Sequence, residues 1–231
     1  MYFCHSAKIW AQFPQLVPGL LVVDHVHPQV EVEQQLQPWY EQARVRLSRS
    51  SESQMAEVAA WRRAYRQMGL KPTKYRSAAE ALLRRFKRED DLPRLHPLVD
   101  LCNAVSVAFA LPVAVFDLAK VDSFLEVRHA TGSEQYLAFS EAIEHPAPNE
   151  VIFADAANQV HARRWTFRQS RRSVISAETG RALIISEGLH ETAASEVRSL
   201  IDSLAIEITA LWSAPQLRAI LQATAPRLDF E

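Results

Sequence analysis

HPLVDLCNAVSVAFALPVAVFD, residues 96–117, contains the switch on which the fold turns. Pro97 suits the first residue of a helix, where the amide it lacks would have had no partner anyway. Behind it Leu98, Leu101, Val105 and Phe109 recur at three- and four-residue spacing and predict a helix with one apolar face. Pro112 ends that pattern. From there VAVFDL, FLEVRHA, QYLAFS, EVIFADA, VHARRWTF and RALIISEG follow as short β-branched or aromatic runs between turn-prone residues. They predict about six strands.

Working outward toward the N-terminus, residues 16–26 (LVPGLLVVDHV) are rich in Leu and Val and predict a strand. Residues 30–49 and 52–69 have helical spacing, with Trp39, Ala43 and Leu47 in the first and Ala60, Ala64 and Met68 in the second. Ser51 or Ser53 is placed to cap the second helix and Gly69 to stop it. Ser77 with Glu80 forms a capping-box sequence that opens a helix from Ala78 to about Lys87. From Ala193 helix returns, with Val197, Leu200, Ile201, Leu204 and Ile208 as a core stripe. This predicts an α+β domain over residues 1–231, its helices packed on a mixed or antiparallel sheet. The helical stretches at about 30–69 and 193–222 read as appendages.

Composition narrows the function. The chain has 231 residues, 48% of them hydrophobic and 23% charged, which is ordinary for a soluble globular protein. It has five glycines and neither GxGxxG nor GxxxxGK[ST], so no nucleotide cofactor is expected. Cys4 and Cys102 cannot make a disulfide framework, and the eight histidines show no HExxH spacing, so no metal is expected. Neither a signal-type N-terminus nor a membrane-length apolar run is seen, which predicts a reduced, cytoplasmic protein without membrane contact.

The net charge is −1, yet ten basic residues lie between Arg62 and Arg88 against one acid, Glu80. Six arginines lie between Arg163 and Arg181 against Glu178 alone. Local fields govern contact with phosphate, so the two runs point to a polyanionic partner; solvated helix faces are the alternative.

The stretch at 96–117 resembles the B3/B4 editing domain of the phenylalanyl-tRNA synthetase β subunit. Asp100-Leu101-Cys102-Asn103-Ala104-Val105 is similar to the family's D-V-T-N-Y-V. Leu111-Pro112-Val113-Ala114-Val115-Phe116-Asp117 is similar to its Q-P-L-H-A-F-D, with the same spacing from Asn103 to Pro112. EVIFADA (150–156) resembles the family's D-L-V-I-A-D strand. Residues 162–189 resemble its G-V-M-G-G-x-x-S-x-V-T-E-E-T-x-N-V-L-L-E segment, with Glu187 at the closing glutamate. Residues 65–85 look like the G-x-x-P-x-K-Y-R-S motif of freestanding members. The resemblance covers about residues 60–190.

The resemblance implies a layered β/β/α fold, no cofactor, a tRNA partner rather than DNA, and hydrolysis of mischarged aminoacyl-tRNA in trans. Carried over by position, the catalytic candidates are Glu187 and Asn103, and the substrate pocket holds Cys102, Pro112, Ala114, Arg168 and Gln169. The family's threonine is here Cys102, its histidine Ala114 and its two glycines Arg168 and Gln169, so tyrosine is not carried over as the substrate.

An aminoacyl ester is already activated, so its hydrolysis needs mainly a positioned water and a stabilised oxyanion. Glu187 suits a partner for the substrate ammonium or a base for water; the structural alternative is a strand-end carboxylate paired with a nearby arginine. Asn103 offers a donor and an acceptor, or is a buried structural amide. Arg168 and Gln169 suit the terminal phosphate or ribose, a polar amino-acid pocket, or an exposed strand edge. Cys102 reads as a small buried hydrophobe rather than a nucleophile, and His96 as a helix cap rather than a base. Lys74, Tyr75, Arg76, Arg84, Arg85 and Arg164 are the candidate tRNA contacts, with helix-dipole complementation the alternative for Arg84 and Arg85. A non-catalytic RNA-binding module and an amino-acid-binding pocket remain as other readings. No class II synthetase motif is found, so aminoacylation is not expected.

Overall fold

The structure, a computed structural model, describes residues 1–230. In chain order it runs β1 (Tyr2–His5), α1 (Ala7–Gln12), β2 (Val17–Asp24), α2 (Glu33–Arg49), α3 (Ala56–Gln67), α4 (Ala78–Glu89) and α5 (Pro97–Phe109). There follow β3 (Val113–Asp117), β4 (Phe124–His129), β5 (Gln135–Leu137), β6 (Ile143–Glu144), β7 (Val151–Ala154), β8 (Gln159–Arg163), β9 (Arg168–Gln169) and β10 (Arg181–Gly188). The chain closes with α6 (Ala193–Leu211), β11 (Leu217–Ile220) and β12 (Arg227–Asp229).

Alternation along β2 and β10 sets the layering. The two strands pair antiparallel along their full lengths, and successive side chains of a strand face opposite ways. Leu21, Val23, Ala182 and Ile184 therefore enter one core, with α2, α4, α5 and α6. Leu20, Val22, Leu183 and Ile185 enter another, against Phe3, Leu125, Val127 and Phe153. The four-stranded antiparallel sheet β11-β2-β10-β3 is thus the middle layer. Helices cover one face and a mixed eight-stranded sheet, ordered β12-β1-β4-β7-β8-β5-β6 with β9 on β8, covers the other. The expected α+β architecture is present, in three layers.

Several expectations need correction. The C-terminal helix ends at Leu211 rather than near 222, ahead of Pro215, whose ring and missing amide oppose helix continuation. Beyond it the chain forms β11 on β2 and β12 on β1. Helix α6 is no appendage either: Val197, Leu200, Leu204 and Ile208 are fully buried. In VHARRWTF the strand stops at Arg163, because Arg164 and Trp165 take positive φ (48° and 60°) and turn the chain into β9. Ser51 closes a capping box on a single 3-10 turn, and α3 starts afterwards at Ala56. The Ser77 box is half formed: Ser77 accepts from the Glu80 amide, while the Glu80 carboxylate is gripped by Arg62 at 3.0 and 3.1 Å.

Candidate active site between the sheets

Ile185 and Glu187 alternate onto the same face of β10, so Glu187 points into the layer between the two sheets. It is 2% exposed. Its Oε1 lies 2.6 Å from Nε2 of His5 on β1, and its Oε2 accepts from Trp165 Nε1 at 2.9 Å. Its main-chain oxygen accepts from Trp61 Nε1 at 3.2 Å. The two indoles meet edge to face, 5.0 Å apart, and shield the carboxylate from water. Glu187 is therefore held by a histidine and a tryptophan, not by an arginine.

A cleft of about 70 Å³ opens beside this carboxylate. Pro112, Ala114, Arg168, Gln169 and Glu187 all line it, so the fold brings five of the expected site residues together. Phe153, Ala162 and Ile185 make the rest of its wall largely apolar. A carboxylate has about four lone-pair directions. Two are used by His5 and Trp165, which leaves capacity for an ammonium group or a water.

Asn103 and Cys102 stand apart from this cleft. Neighbouring helix residues point about 100° apart, so Cys102 enters the helical core while Asn103 faces a second cleft. That cleft, about 370 Å³, is lined also by Leu95, His96, Phe139 and Ile175, and it shares only Val113 and Gln169 with the first. Burial pushes the Cys102 thiol well above its usual range, which removes it as a nucleophile at neutral pH. His96 acts as a cap, its Nδ1 accepting from the Leu98 amide at 3.2 Å, and burial lowers its pKa. Gln169 donates to the Val115 carbonyl at 2.7 Å, tying β9 to β3 as a partition between the clefts. Arg168 stands at the rim, 3.6 Å from Glu144 and over the Tyr136 ring.

The basic residues divide in space. Arg84 and Arg85 are matched by Glu52 (3.5 Å) and Glu89 (2.7 Å), and Arg76 by Glu80 (3.6 Å). Arg164, 3.8 Å from Glu150, also lies over the Tyr75 ring at 4.7 Å and near Phe167 at 5.7 Å, and Lys74 lies 5.3 Å from Tyr75. Tyr75 and Phe167 meet edge to face at 5.3 Å, and Phe167 also lines the Glu187 cleft. This cation–aromatic group is continuous with the mouth of the site.

Residues 60–205 match the family model described as the B3/4 domain. The chain belongs to the B3/4 domain family. Over 77 residues this B3/4 chain is 31% identical to the phenylalanine–tRNA ligase beta subunit of Chromobacterium violaceum, covering 33% of this chain and 10% of that subunit. The crystal structure of an N-terminal fragment of the phenylalanyl-tRNA synthetase beta subunit from Pyrococcus horikoshii is similar over 90% of this chain and 47% of that one. The TM-score there is 0.46 and the identity 8%. The B3/4 chain thus matches a tenth of the bacterial subunit's length and about half of the archaeal fragment's. Every wall residue of the Glu187 cleft falls within the matched segment, whereas His5 lies outside it. His5, Trp61 and Trp165 belong to no motif that would mark them in the sequence. Among the described residues no helix is long and apolar enough to cross a membrane.

Proposed function

We propose that this B3/4 chain hydrolyses the ester of a mischarged aminoacyl-tRNA, acting in trans, with Glu187 at the reacting centre. The carrying observation is a buried carboxylate, oriented from two sides by His5 and Trp165, at one wall of a cleft. The rim of that cleft bears Arg168 and the Arg164–Tyr75–Phe167 group. Cations and an aromatic face at the mouth suit the phosphates and unpaired bases of a tRNA acceptor end. The name of the bacterial relative, a tRNA ligase subunit, supports the same substrate class. Glu187 then anchors the substrate ammonium or holds the attacking water, and the surrounding indoles keep other water out.

A second reading, a tRNA-binding module without turnover, draws on the fact that both Glu187 oxygens are already engaged. A deacylation panel separates the two. The protein and Glu187→Gln are incubated with tRNAs misacylated with alanine, serine, phenylalanine and tyrosine. Release of one of these amino acids, lost in Glu187→Gln with tRNA affinity retained, supports editing. Salt-dependent tRNA binding without release across the panel selects the binding module.

A further inference from the structure

Behind the cleft, three side chains from two parts of the chain converge without a common partner. Glu57 belongs to α3, His190 to the link after β10, and Glu196 to the first turn of α6. One ligating atom from each lies within 4.8 Å of the others. His190 is 5% exposed, yet neither of its ring nitrogens makes a hydrogen bond. Its Nε2 sits 3.1 Å from Glu196 Oε2, an ion-pair distance if the ring is protonated, yet neither atom has a partner aligned for a hydrogen bond, and Nδ1 has no partner at all. A buried imidazole without aligned hydrogen bonds is costly to the fold unless something else satisfies it. With the ring proton on Nδ1, Nε2 and the carboxylate oxygen are two acceptors that a cation between them would satisfy together.

The oxygens not turned inward are already held. Glu196 Oε1 accepts from the Thr192 hydroxyl at 2.7 Å, and Glu57 Oε1 accepts from Arg46. Such outer partners fix the orientation of metal-ligating carboxylates. Ligands of a tetrahedral zinc ion, at 2.0–2.2 Å from it, stand about 3.3 Å from one another, close to the observed His190–Glu196 separation. One imidazole and two carboxylates with an open fourth position suit a borderline ion. Magnesium and calcium demand more oxygen donors.

We infer that Glu57, His190 and Glu196 bind one divalent transition-metal ion of the zinc type. The absence of a metal motif in the sequence is no obstacle, because Glu57 and His190 are 133 positions apart and no local spacing records their meeting. The bound ion ties α3 to the start of α6. It stands next to the editing site through Trp61, one turn along α3 from Glu57, whose indole bonds the Glu187 carbonyl. The site itself does not depend on the editing proposal.

The test uses chelator-stripped full-length protein titrated with ZnCl₂ by calorimetry, with metal content read by mass spectrometry and unfolding followed with and without zinc. One zinc per chain is expected, with a raised unfolding temperature. In Glu196→Gln and His190→Asn the affinity falls at least roughly tenfold and the temperature rise disappears; Glu191→Gln, an exposed neighbour, binds as the wild type. Glu196 is a third exposed on its side chain, so Glu196→Gln keeps the test decisive should His190→Asn fold poorly. Cobalt substitution gives a second readout, with tetrahedral visible bands in the wild type that Glu196→Gln lacks. No saturable binding at one equivalent, or equal binding by wild type and Glu196→Gln, overturns the inference.

Discussion

His5 Nε2 and Glu187 Oε1 lie 2.6 Å apart although 182 positions separate them in the chain, and their contact joins the eight-stranded sheet to the middle layer. Truncating His5 strands a buried carboxylate oxygen and removes a ring that packs edge-on against Phe3 and Trp10. His5→Ala is expected to lose about 1–3 kcal/mol of stability. Glu187→Gln keeps an acceptor for Trp165 and the same volume, and so loses less. Urea unfolding of both variants checks the order. Equal stability of His5→Ala and wild type would show that the contact does not hold the layers together.

Glu134 supplies a pH test. It is fully buried, and burial by itself would raise its pKa. The amides of Thr131 (2.9 Å) and Gly132 (3.0 Å) together with Arg128 outweigh that and hold the carboxyl at about 2, below its ordinary 4.5. A depressed acid pKa stabilises the fold above the unfolded value, and the contribution is lost as pH falls. The loss should run from about pH 4.5 down to about 2 and amount to on the order of 3 kcal/mol. In Glu134→Gln that section of the stability-against-pH curve flattens. An unchanged curve would sink the assignment.

Gly19 lets α6 approach the middle sheet. A Cβ there would stand 2.6 Å from both Val197 Cγ1 and Ile201 Cγ1, so one layer must shift. Gly19→Ala is expected to cost roughly 1–3 kcal/mol, as overpacking does. Gly180→Ala, where the added carbon meets nothing within 4 Å, should be nearly neutral. Thermal unfolding of the pair distinguishes close packing from a general effect of losing glycine.

How far the molecule is legible in its sequence follows from the range of the forces concerned. Pro97 and Pro112 act on their own neighbours, so α5 and the change to strands at β3 can be read directly. Ser77 capping α4 is equally local. By contrast β1 is only YFCH, too short for a pattern, and it becomes a strand because β4 and β12 flank it. The apolar LRAIL after Pro215 suits helix or strand alike, and pairing with β2 decides it. Counting charge along residues 62–88 missed Glu52 and Glu89, which answer Arg84 and Arg85 from outside the run. The cleft was legible where the family pattern carried it, at Pro112, Ala114, Arg168, Gln169 and Glu187. The partners of Glu187 were not, because only tertiary packing brings His5 and Trp165 to it.

That division of the basic residues gives the last prediction. Arg164 and Lys74 sit on Tyr75, beside the cleft mouth, with Arg164 only loosely paired to Glu150 at 3.8 Å, whereas Arg85 is held by Glu89 at 2.7 Å and lies on α4. A cation over an aromatic ring retains its charge for a phosphate, and the ring offers a face to an unpaired base. Arg164→Ala and Lys74→Ala should each weaken tRNA binding and lower the slope of log affinity against log salt by about one. Tyr75→Ala should weaken binding with less change in slope, since stacking releases no counterions. Arg85→Ala should leave both nearly unchanged. Fluorescence anisotropy with labelled tRNA across a salt series reads all four. Should Arg85→Ala weaken binding as much as Arg164→Ala, the contact surface extends along α4, and the cation–aromatic group at the cleft is not its centre.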